Sequence, residues 1–162
     1  MIAFTSDIDW APDEVIVDML DIFEEHKVPC TLFCTHHSHV VGNCNRDLFE
    51  IAIHPNMNPL LFDKKPETAR EMVRNLLEIY PESVGVRSHS MTQSTALSNM
   101  FREEGLLYES NQFFPYNYDI KPYKCWTGIL KIPYNWEDDV HFAYGKSFEG
   151  AIFDEASTEG CH

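Results

Sequence analysis

Basic residues are scarce in this 162-residue chain, with 12 Lys and Arg against 26 Asp and Glu and a formal net charge of −14. Nucleic-acid backbones and anionic membrane surfaces are held by clusters of cations, so neither is expected as a partner. No apolar run approaches the roughly 20 residues that cross a bilayer, which argues against membrane insertion. The five cysteines, Cys30, Cys34, Cys44, Cys125 and Cys161, include no C-x-x-C pair. That odd set suits neither a zinc ribbon nor a complete disulfide framework, and free thiols in a reducing compartment are expected instead. No basic and apolar leader precedes the first apolar segment, so the expected location is cytoplasmic. Repeats, linkers and low-complexity tracts are also missing, which leaves one domain over 1–162.

What is present is an alternation of strand and helix patterns. The spacing predicts a strand over Met1 to Thr5 and then a helix opened by Pro12, with Val15, Ile16, Met19, Leu20, Ile22 and Phe23 on its inner face. "VPCTLFCT" reads as the next strand, "HHSHVVGNCNRD" as a polar loop, and "LFEIAIH" as a strand ended by Pro55. "KPETAREMVRNLLEIYP" is a second amphipathic helix, "SVGVRSH" a strand, and "STALSNMFREEG" a helix with Gly105 as its left-handed cap. "LLYES" is the strand that follows. Beyond it, "NQFFPYNYDIKPYKCW" reads as an aromatic loop and "TGILKIPYNW" as a strand. The order implies an α/β fold with a mostly parallel sheet, either open or closed as a barrel.

In either architecture ligands sit at the carboxyl ends of the strands. Residues expected there are Asp7 and Asp9, Thr35 to His37, His54 with Asn56 and Asn58, Arg87 with His89, Glu109, and Trp136 to Asp139. On an extended segment Asp7 and Asp9 point the same way, with Ile8 turned into the packing. One acid can then hold a metal while the other takes a proton from its water. His54 offers a nitrogen ligand, and Asn58 lies four residues on, one helical turn away. Asp, His, a further N or O donor and an open position make up a hydrolytic divalent site.

"FTSDIDW", "CTLFCT", "EIAIHPN", "GVRSHS" and "IPYNWEDD", in that order, resemble the NodB-homology polysaccharide deacetylases, carbohydrate esterase family four, and within it a bacterial branch associated with surface polysaccharides. The resemblance implies a NodB-like distorted (β/α) barrel and removal of N-acetyl groups from an amino sugar, with a divalent metal, zinc first. It makes Asp7 the general base, Asp9 and His54 metal ligands, and Arg87 the residue that orients Asp7. The second histidine of the family's H-x-x-x-H motif is replaced by Asn58, so either Asn58 or His89 completes the ligand set. The resemblance also leads one to expect a further C-terminal strand whose histidine protonates the leaving amine. The chain reads "GAIFDEASTEGCH" there, which leaves the barrel incomplete at the C-terminus or passes the role to His141 or His162. Strand edges left open in this way predict a homo-oligomer.

Each residue also has a plainer reading. Asp7 and Asp9 can simply favour the helix start at Pro12, and Arg87 can pair with surface acids. His36, from the "HHSH" cluster, and Trp136 and Asp138, from "NWEDD", are expected to touch substrate, though the acids could equally form a solvated face. D-x-D also opens the haloacid dehalogenase type of phosphotransferase, but Ala11 stands where that scheme needs Thr or Val, and "HPNMN" goes unexplained. A further alternative is a catalytically degenerate deacetylase-like domain that binds glycan or a protein partner.

Overall fold

The computed structural model describes residues 2–62, 68–117 and 119–146. Along the chain, β1 (Phe4–Asp7), α1 (Asp13–His26), β2 (Cys30–Cys34), α2 (His39–Asn43), β3 (Phe49–Ile53), α3 (Asn58–Phe62), α4 (Ala69–Ile79) and β4 (Gly85–Val86) come first. A 3-10 turn (His89–Met91), α5 (Thr95–Glu103), β5 (Tyr108–Glu109), β6 (Tyr123–Lys124), β7 (Leu130–Lys131) and α6 (Asp138–Ala143) follow. The strands form one sheet in the order β1-β2-β3-β4-β5-β7-β6, parallel except for the β6–β7 hairpin.

The helices begin where their capping chemistry allows. Thr68 and Glu71 form a reciprocal capping box at the start of α4, and the Ser94 hydroxyl accepts the Leu97 N–H at the start of α5. Gly105 takes the expected left-handed conformation, with φ 91°. Gly85 meets a different demand, since a Cβ there would overlap the ring of Tyr108 on the neighbouring strand. On one side of the sheet, Ile16 and Leu20 of α1 pack with Leu32, Cys34, Phe49 and Ile51. A second cluster joins Val73 and Leu76 of α4 and Phe101 of α5 to Ile53, Val86 and Ile129. The inner face expected for α1 is narrower than its apolar pattern suggested. Val15 and Ile22 are exposed, because the core covers only the stripe carried by Ile16, Met19, Leu20 and Phe23.

The parallel strands carry the sheet's curvature. Neighbouring strands lie about 4.8 Å apart, which would place β4 about 14 Å from β1 in a flat sheet. Yet Arg87, immediately after β4, donates to Thr5 and Asp7 of β1. The carboxyl ends of β1 to β5 therefore curl around a shared centre. The C-terminal half differs from expectation in detail: β7 is only two residues long, β6 arises within the presumed aromatic loop, and the HHSH loop holds the short helix α2, capped by Ser38.

Candidate metal centre

Asp7 closes β1, and Ile8 beyond it is buried. The backbone then leaves the extended form. Asp9 has φ 32° and Trp10 φ 59°, a left-handed conformation that side chains other than glycine seldom adopt. The acids are thus brought together by a tight turn and not by the alternation of an extended strand. The turn sets Asp9 Oδ1 at 3.3 Å from His54 Nε2 and 3.1 Å from His89 Nδ1. Asp7 stands alongside, its Oδ2 3.7 Å from His54 Nε2.

His54 follows β3 and is only 2% exposed, with its N–H bonded to the Cys34 carbonyl. His89 enters from the turn after β4, where Ser90 and Met91 also have positive φ. Four non-glycine residues in the left-handed region thus flank one carboxylate and two imidazoles, and such strain gathers where function demands a fixed geometry. The two rings stand perpendicular, centroids 5.4 Å apart, and Trp10 packs edge-on against His89 at 5.1 Å.

Burial lowers the His54 pKa from its ordinary value, outweighing the pull of Asp7 and Asp9 in the other direction. The ring is held as neutral imidazole, the form that binds metal. Its Nδ1 is buried without a hydrogen-bond partner, although the Arg87 backbone favours a proton on the ring. Among the described His, Cys and acidic residues, Asp9, His54 and His89 form a group of potential ligands, with donor atoms within 4.8 Å of one another. Ligands held about 2.0–2.1 Å from a tetrahedral zinc lie about 3.4 Å from each other, close to the 3.3 and 3.1 Å separating Asp9 Oδ1 from the two imidazole nitrogens. Two imidazoles and one carboxylate fit a divalent ion of the zinc type.

Arg87 is built in from all sides. Nη1 donates to Asp7 Oδ1 at 2.9 Å, Nη2 to Thr5 and Ser110 hydroxyls at 3.0 Å, and Nε to the Ser110 carbonyl at 3.1 Å. Its guanidinium lies between the rings of Phe33 and Tyr134, each 4.3 Å away. Asn58 donates its amide to Ser90 Oγ at 3.0 Å, which braces the turn carrying His89.

The remaining sequence candidates divide. His36 Nδ1 lies 2.9 Å from Thr35 Oγ1, which accepts the Trp10 N–H, so this loop is tied to the rim. Trp136 turns its indole N–H to His141 Nδ1, and exposed Asp138 accepts the Asp139 N–H at the start of α6. His141 itself is buried, and His162 lies outside the described residues. Glu109 is not on an open rim: it is fully buried, paired with Lys131, and bonded by Ser98 and Asn111. Thr5, Ser110 and Tyr134, which hold Arg87, escaped notice one by one. Ser110 directly follows β5, the available signal for that residue.

Comparison with known proteins bears on the family and the fold. The family model described as WbmS-like polysaccharide deacetylase matches residues 4–161. A crystal structure of a candidate polysaccharide deacetylase involved in O-antigen biosynthesis from Bordetella bronchiseptica is 40% identical, with a TM-score of 0.86. That match covers 92% of this chain and 63% of the other. A second, from Mycobacterium smegmatis, is 21% identical with a TM-score of 0.55, covers 83% of this chain and 58% of that one, and shows likeness of fold alone. The chain thus spans less than two thirds of either structure's length. No curated protein matches. The architecture is the expected NodB-like α/β fold.

Proposed function

We propose, since the chain belongs to the WbmS-like polysaccharide deacetylase family, that it hydrolyses N-acetyl groups on an amino sugar of a surface polysaccharide or its precursor. Asp9, His54 and His89 would hold one divalent ion, zinc by its preference for such donors. The observation that carries this reading is the convergence of two imidazole nitrogens on one Asp9 oxygen, with Asp7 and its arginine beside them. The bound ion supplies a Lewis acid for the amide carbonyl and a more acidic water.

The chain's own residues do the rest. Arg87 occupies Asp7 Oδ1, which leaves Oδ2, the oxygen facing His54, to take the proton of the attacking water. Thr5, Ser110, Phe33 and Tyr134 fix that guanidinium, so Asp7 cannot swing away from the reacting centre. His54, kept neutral by burial, offers its lone pair without first losing a proton. His89 fills the ligand position that Asn58 vacates, and Asn58 acts through Ser90 to hold the His89 turn.

Zinc titration of the purified protein tests this. About one ion per chain is expected, with affinity falling at least about a hundredfold in Asp9→Ala, His54→Ala and His89→Ala, and about tenfold or less in Asn58→Ala. Binding that survives His89→Ala but not Asn58→Ala would reverse the assignment. Because Asn58 departs from an imidazole ligand, a second reading stands beside this one: a domain that binds glycan without turnover. Zinc-loaded protein that binds N-acetylglucosamine oligomers and releases no acetate from them would select it.

A further inference from the structure

None of the residues given a role so far is a proton donor for the departing amine. An amine leaves a tetrahedral adduct poorly as an anion, so cleavage of the C–N bond calls for an acid close to the nitrogen. We propose that Glu137, held by the Tyr134 hydroxyl, is the catalytic acid that protonates this leaving amine; the assignment rests on the deacetylase reading.

The contacts run in an unbroken line. Asp7 is bound to Arg87, the Arg87 guanidinium lies 4.3 Å from the Tyr134 ring, and the Tyr134 hydroxyl donates to Glu137 Oε1. That bond leaves Oε2 free to carry the transferable proton. Glu137 is half-buried just before α6, partly shielded from water yet open enough to meet a substrate. Burial raises its pKa from the usual carboxylate value; the Tyr134 bond and Arg87 oppose this, while Asp139 and Asp7 add to it. Tyr134, its own phenol pushed up by burial, stays a donor.

Among the described residues, the competing histidine His141 is poorly placed. His141 is 1% exposed, accepts the Trp136 indole N–H, and lies 3.3 Å from the Tyr116 hydroxyl. Two carboxyl groups in unlike settings, one bound to a guanidinium and one shielded behind a phenol, can divide base and acid work between them. In the step itself, the C–N electron pair passes to nitrogen as nitrogen takes the Oε2 proton. Acetic acid and free amine leave, one water proton resting on Asp7 and the other on the acid; Asp7 then returns its proton to solvent as Glu137 regains one.

The test compares two substrates on zinc-loaded full-length protein: an N-acetylglucosamine oligomer, whose amine needs the proton, and 4-nitrophenyl acetate, whose leaving group does not. Glu137→Gln is expected to slow acetate release from the oligomer by about 10²–10⁴-fold and ester hydrolysis by at most about threefold. The alkaline limb of the oligomer pH profile should disappear with it. Tyr134→Phe, which keeps the acid but loosens it, should cost the oligomer about tenfold and move that limb. Parallel losses on both substrates with an unchanged limb, or no loss on either, would overturn the assignment. Wild-type protein that cleaves the ester but no oligomer would instead bring down the deacetylase reading, and the acid's role with it.

Discussion

Two polar clusters sit at the ends of neighbouring strands and solve opposite problems. Around Asp9 two imidazole nitrogens crowd on one oxygen of a half-exposed carboxylate, and the backbone is strained on both sides. Around Glu109 both carboxylate oxygens are answered: Lys131 and Ser98 serve Oε1, and Asn111 serves Oε2. The first arrangement leaves room for a further ligand, and the second closes on itself. Acids alike in sequence therefore differ by what surrounds them. Satisfaction marks structure, and shortfall marks a site.

The difference is broken most severely from the closed side. Lys131→Met would leave Glu109 buried without its cation, and a loss of about 3–5 kcal/mol is expected in urea unfolding. Loss of under about 1 kcal/mol would mean that the pair is not sealed from water. Asn111 joins the two clusters, because its oxygen also accepts the Ser88 N–H at 2.7 Å, next to Arg87 and His89. Asn111→Ala should therefore lower stability by about 1–3 kcal/mol and weaken zinc binding by about tenfold. A stability loss with zinc affinity unchanged would show the clusters to be independent.

The smallest effect sharpens the open side. His54 has a folded pKa below its ordinary 6.5, so the unfolded chain binds a proton there before the folded one does. Stability of the zinc-free protein should fall as pH drops below about 6.5, with this histidine giving at most about 1.4 kcal/mol per pH unit until the folded ring is also protonated. Urea unfolding at pH 7.5 and 5.5 reads this, and His54→Asn should have the shallower dependence. Equal slopes would mean that His54 is not held neutral.

Much of this could be read along the chain. The αβ alternation, the Gly105 cap and the strand-end places of Asp7, His54 and Arg87 all follow from local pattern. Short strands left little signal. Two-residue β6 is defined by its pairing with β7 and not by a run of its own, whereas β7 lies within the segment expected as a strand. The role of Glu109 was equally hidden, since its partner Lys131 lies 22 positions away and becomes one only through the β5–β7 pairing.

By itself the sequence determined the periodic elements, the acidic surface and the kinds of side chain delivered to one end of the sheet, because these depend on near neighbours and composition. The tertiary structure decided the partnerships. A left-handed turn aimed Asp9 at His54, and sheet curvature carried Arg87 from the fourth strand to the first. Packing over His54 held it neutral, and His89 met Asp9 across 80 residues of chain while Asn58 turned to Ser90. Ligation depends on ångström-scale distances and on local polarity, and both arise only when segments remote in sequence are packed together.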